Sequence, residues 1–290
     1  PPRSTLFPYT TLFRSPMPSR SSGISTATQK RMDASSTLLR WLVVGVVLAN
    51  AVVAGVSVQG LLYSRQSTVD SVYNNTDNLA TLLEQTIESS ARRIDLALMT
   101  VADGLEDAER RGEFNDTTIE NLLKTQLGRQ EEVDAIRVSD PQGKIRWGKG
   151  VDRNNPVSYS DRSFFPLHQA EPGKRMIVSE PIIGRVSKIP VVAFTRSYRK
   201  PDGSFGGVIS AAVPITHFTN LIAKPDLGPN GSVVIRHHNM GLLTRFPAVP
   251  GPAGETGNAK VSDEYRAMFD SGVERGFFQT LNTPDGHERN

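Results

Sequence analysis

Tyr159, Asp161 and Arg162 stand just ahead of Phe164 and Phe165 in a single short stretch, Tyr159 to Phe165. The planar fork of an arginine matches the two oxygens of a carboxylate. A tyrosine hydroxyl can add a hydrogen bond, and an aromatic ring such as Phe165 can close a pocket over the bound group. The plainer alternative is a capped helix, with Asp161 near its start and the phenylalanines in the core. Tyr159 would then be a loop aromatic packed on a sheet. Arg185, beside Gly184, and Arg196, inside an apolar run, add two more cations. An arginine within a strand is more often solvated or salt-bridged than ligand-bound. Ser179 and Thr195 are further hydrogen-bond donors.

Other chemistries find less support. The chain has no cysteine, which excludes disulfides, thiol nucleophiles and thiolate metal sites. His237-His238 is not a metal motif, because neighbours in a strand point to opposite faces and no third ligand is suitably spaced. No phosphate loop, G-x-S-x-G, HExxH or G-x-G-x-x-G occurs. Asp161, His168 and Ser179 form no recognisable catalytic pattern. Neither catalysis nor a cofactor is expected.

The elements that must position these residues follow from periodicity. From Val133 onward, short apolar runs alternate with turns. Strands are expected at 133–138, 144–147, 176–183, 190–199 and 207–213, the first two joined by the turn Asp140-Pro141-Gln142-Gly143. Between them, 161–168 reads as a short helix entered from a polar loop, and 214–222 as another. A similar set begins after residue 224, with strands at 232–237 and 242–246, a helix at 262–271 and a strand from Gly276. This is an α+β arrangement with a weak internal repeat. The last strand meets a turn at 283–286, and the chain stops at Asn290, so the second set is expected to be incomplete.

Ahead of the sheet region lie helices. Residues 66–111 contain no proline, and Ile87, Ile94, Leu98, Val101 and Leu105 fall on one stripe of a 3.6-residue period. That stripe can cover a sheet, pair with a second copy in a homodimer, or do both. A second helix is expected at 116–130.

Trp41 to Tyr63 carries no charge over 23 residues. As a helix it would be about 34 Å long, enough to cross a bilayer. Four bases and one acid lie between Met17 and Arg40, against four acids and no base between Gln66 and Ala91. The positive-inside rule then puts the N-terminus in the cytoplasm and the rest outside. A cleaved signal peptide is the rival reading, since Ala49-Asn50-Ala51 has the small-x-small form. Residues 17–40 are rich in serine and threonine and are expected to be disordered. Residues 1–16, with their echo of Thr5-Leu6-Phe7 in Thr11-Leu12-Phe13, read as a non-native leader.

The net charge of +3 is misleading. From Ser64 onward there are 27 basic and 29 acidic residues, so this part carries no footprint for nucleic acid.

Together, the stretches 133–148, 158–169, 178–215 and 226–247 resemble the double-Cache (PAS-like) periplasmic sensors of bacterial diguanylate cyclases and sensor histidine kinases. The resemblance spans roughly residues 66–290. It implies a receptor in the inner membrane, with a transmembrane helix at 41–63, helices at 64–131, a membrane-distal Cache module at 132–223 and a membrane-proximal one, incomplete, at 224–290. It also implies a small ligand, such as an amino acid or organic acid, held in the distal module beneath the 159–168 segment. Tyr159, Asp161, Arg162, Phe165, Arg185 and Arg196 are then the candidate ligand residues. A chemotaxis receptor, or a membrane-anchored binding or adhesion protein with no output domain, is the alternative.

Overall fold

A computed structural model describes residues 25–228 and 231–276. The expected leader at 1–16 and the expected strand and turn beyond Gly276 lie outside the described residues. Contacts divide the chain at Asn74/Asn75, not between the two expected sheet modules, which share one compact unit.

The first unit contributes the start of helix α1, which runs from Ser25 to Arg110. Residues 25–40 were expected to be disordered and are instead helical. No proline or glycine interrupts Ser25 to Arg40, and the alanines, leucines and long straight side chains there favour helix. From Leu38 to Tyr63 the apolar side chains are exposed, among them Trp41, Leu42, Val52 and Leu61. Among the described residues, this is the one helix long and apolar enough to cross a membrane.

In the second unit, Ile94, Leu98, Val101 and Leu105 of α1 are buried, as their spacing predicts. Helix α2 covers Asp116–Leu127, three residues shorter than expected. Asn115 caps it, accepting from the Thr118 amide at 3.0 Å.

The main sheet is antiparallel. Strands β1 (Ala135–Ser139) and β2 (Ile145–Gly148) form the expected hairpin. After helix α3 (Phe164–Ala170) come β3 (Ile177–Val178), β4 (Ile182–Ile183), β5 (Pro190–Arg199) and β6 (Phe205–Pro214). The order is β2-β1-β6-β5-β3, with β4 also on β5. The single strand expected at 176–183 is thus two short ones. Ser179 turns its side chain to the Ala193 amide at 2.9 Å, and Pro181 has no amide to give.

Strands β5 and β6 are buried on both faces. On one face Val192, Phe194, Tyr198, Ile209, Ala211 and Val213 pack with Ile136 and Val138 against α1 and α2. Helix α4 (Ile215–Ile222) adds Ile215 and Phe218 to that cluster. The other face lies under α3 and the segment before it, where Ile145, Ala193 and Val208 meet Tyr159, Phe164 and Phe165.

A second, two-stranded sheet pairs β7 (Val233–Arg236) with β8 (Leu242–Phe246). Helix α5 (Asp263–Asp270) follows, capped by Ser262. Thr244 of β8 shares a 2.6 Å hydrogen bond with Thr219 of α4, tying the hairpin to the main sheet's helical layer. Strand β7 ends before the histidine pair, so the expectation of opposite faces fails. His237 and His238 lie in the turn and their rings meet at 4.1 Å.

Candidate functional site

The segment that carries Tyr159 is laid against the β1–β2 hairpin by backbone bonds. The Ile145 amide donates to Val157 O at 2.9 Å, and the Tyr159 amide to Gly143 O at 2.7 Å. Gly143 has φ 83°, and a side chain there would press within 2.9 Å of the Ser160 amide. A glycine is therefore needed both for the turn and for the close approach. Two further turns, Arg162 N to Tyr159 O at 2.8 Å and Phe165 N to Arg162 O at 3.0 Å, lead into α3.

Tyr159 points down to the sheet. Its hydroxyl shares a 2.6 Å hydrogen bond with Ser210 Oγ of β6, and its ring meets Phe164 edge-on at 5.5 Å. Burial pushes the Tyr159 hydroxyl's pKa up; the Ser210 bond and the charges of Arg137, Arg162 and Arg185 oppose that shift.

Arg185 donates to Asp161 and to the Ser158 carbonyl. That bond holds Asp161 below the usual carboxylate range and raises the Arg185 pKa in return. Arg162 donates through Nη2 to Ile183 O at 2.8 Å, while its Nε is buried with no partner. Burial first, then the charge of Arg185, lowers the Arg162 pKa, although an arginine stays protonated. The structure therefore brings Tyr159, Asp161, Arg162 and Arg185 together.

It does not bring in Arg196. Side chains alternate along a strand, and Arg196 shares its face with Val192, Phe194 and Tyr198, under α1. There it donates to both oxygens of Asp95, at 2.5 and 3.0 Å. Phe165 is 5% exposed and packs edge-on against Phe205 at 5.5 Å. Its position is that of a core residue, and Phe164 is the ring beside Tyr159.

One residue on this face escaped the sequence reading. Arg137 is 4% exposed and lies in register with Ser210, which lies in register with Thr195. The three form a polar row across β1, β6 and β5. Beside it runs a row of small side chains, Ala135, Ala212 and Ala193. Alternation along β1 separates Arg137 from Ile136 and Val138, which pack on the α1 side, and so leaves it on the α3 side.

His168, on α3, is 1% exposed and places Nε2 2.9 Å from Thr195 Oγ1. That hydroxyl donates to Ile177 O at 2.9 Å, so it accepts from the ring, which is then the neutral Nε2–H form. Burial pushes the His168 pKa down to about 4. Ser179 Oγ donates to Glu180 O and accepts from the Ala193 amide. Asp161, His168 and Ser179 thus have separate partners. The cluster's net positive charge and its unpaired Arg162 Nε suit it to holding an anion.

No family profile and no curated protein matches the chain. Among solved structures, it is similar to the extracellular domain of rpHK1S-Z16, described as a histidine kinase. The TM-score is 0.57 at 22% identity, over 72% of this chain and 83% of that one. It is also similar to an extracellular ligand binding receptor from Desulfohalobium retbaense, with a TM-score of 0.48 at 12% identity over 70% of this chain and 35% of that one. A third is the ligand-binding domain of the Campylobacter jejuni chemoreceptor Tlp3 with L-valine, with a TM-score of 0.46 at 16% identity over 63% and 78%. The first of these establishes a shared fold: a long N-terminal helix followed by antiparallel-sheet modules.

Proposed function

We propose that this chain is the small-molecule sensing input of a membrane receptor with double-Cache architecture. The observation that carries the reading is the meeting of Tyr159 and Arg162, on the covering segment, with Arg185, on the sheet face opposite α1. The ligand is an organic acid or amino acid, and its carboxylate takes the unpaired Nε of Arg162. The apolar helix anchors the sensor in the inner membrane, with the sheets on the periplasmic side, consistent with the charge flanks.

The receptor's output is of the histidine kinase or diguanylate cyclase kind, and the working form is a homodimer. The shared fold with the rpHK1S-Z16 extracellular domain supports the sensor class. Exposed Leu82, Leu96 and Met99 on α1 leave apolar surface for a second copy.

A thermal-shift screen of amino and organic acids on the whole chain in nanodiscs tests the reading. At least one acid should raise the melting temperature, and Arg162→Ala should abolish that shift. An acid that stabilises both proteins equally removes the proposed site.

A further inference from the structure

Resting on that sensor reading, the charges beneath Tyr159 narrow the ligand further. Arg137 has a side chain only 5% exposed, yet it makes a single hydrogen bond among the described residues, from Nε to Lys149 O at 3.0 Å. Among the described residues its terminal nitrogens find no acceptor within hydrogen-bond distance. The nearest carboxylate, Asp134, is 4.0 Å away and is held by Lys149 Nζ at 2.9 Å. A guanidinium so little exposed, with terminal donors open, favours an anionic partner. It is also well placed, since Arg137 is the strand neighbour of Ser210, which holds the Tyr159 hydroxyl.

The second cation with an open donor is Arg162, whose buried Nε has no partner. The acids nearby are already engaged. Asp161 is paired with Arg185, Asp134 with Lys149, and exposed Glu180 accepts from Asn239 at 3.3 Å. A buried carboxylate that could receive an ammonium is missing from this face among the described residues. Glu132, which is buried, pairs with Arg93 of α1.

We propose that the site takes a small dicarboxylate, with one carboxylate on Arg162 at the covering segment and the other on Arg137 at the sheet. Tyr159 and Ser210 share one hydrogen bond, so one of their two hydroxyl protons remains to donate beside Arg137.

Three probes on the whole chain in nanodiscs separate the possibilities by calorimetry: succinate, propionate and L-alanine. Succinate should bind most tightly, since each added charge-assisted contact to an arginine is worth roughly a factor of ten or more. Arg137→Gln should weaken succinate by about that factor and leave propionate unchanged, whereas Arg162→Gln should weaken both. If propionate or L-alanine binds as tightly as succinate to the unaltered chain, the dicarboxylate assignment falls and the sensor reading stands. That comparison needs no variant to fold. Succinate binding equally to Arg137→Gln shows Arg137 to be structural and overturns the assignment. No binding of any of the three overturns both.

Discussion

Arg196 of β5 and Asp95 of α1 are joined by two parallel hydrogen bonds across 101 residues of sequence. The pair is mostly buried, with side chains 15% and 27% exposed, on the face of the sheet away from Tyr159. Two bonds from a planar fork fix both the position and the rotation of a helix against a strand. Arg196→Ala and Asp95→Ala should each destabilise by about 1–3 kcal/mol, because each leaves a charge without its partner. The double variant should lose clearly less than the sum in denaturant unfolding. Succinate affinity should not change in any of the three.

His168 sets a pH dependence of stability. Its pKa falls from 6.5 to about 4 on folding, chiefly through burial. Between these values the unfolded chain binds the proton and the folded one does not, so stability is lost as pH falls. The contribution is complete above about pH 6.5, and up to about 3 kcal/mol of it is gone near pH 4. Denaturant midpoints measured from pH 7 to pH 4 should fall accordingly. His168→Gln, which can still donate to Thr195, should flatten that slope.

Much of the fold was legible in the residues. Strands β5 and β8 begin and end where their alternation and turns place them, and the stripe on α1 is buried as spaced. The failures have local causes. Ser179 and Pro181 break one expected strand in two, and Ser25 to Arg40 is helical because no proline or glycine interrupts it. The site was half legible. Tyr159, Asp161, Arg162 and Arg185 are close in sequence or flank one loop, and they meet. The face taken by Arg196 depended on which side of the sheet α3 would cover, and periodicity alone does not settle that. Arg137 was hidden among apolar neighbours that gave it the look of an ordinary strand residue.

The Tyr159–Ser210 contact makes a separable prediction. Both groups are buried, and each hydroxyl is the other's partner at 2.6 Å. Tyr159→Phe leaves the Ser210 hydroxyl without it and should cost about 1–2 kcal/mol. Adding Ser210→Ala should recover part of that loss, since an apolar pair avoids the orphaned group. Urea unfolding of the two single variants and the double variant reads this directly. A double variant less stable than Tyr159→Phe by the full cost of Ser210→Ala would show the two groups to be independent.

Gly148 closes β2 opposite Arg137 and has φ 114°, a conformation that side-chain-bearing residues rarely adopt. A Cβ there would lie 2.2 Å from Ile136 O and 3.1 Å from Arg137 Cγ. The first contact is with backbone inside the β1–β2 ladder and cannot be relieved by turning a side chain. The second presses on the stem of the buried arginine. Gly148→Ala should therefore destabilise the fold by about 2 kcal/mol or more. The surviving folded protein should also bind succinate more weakly, because the strain is delivered to the strand that aims Arg137. Gly112→Ala supplies the comparison. Gly112 also has a positive φ, 69°, but meets nothing within 4 Å. It should cost about 1 kcal/mol and leave the calorimetric affinity for succinate unchanged.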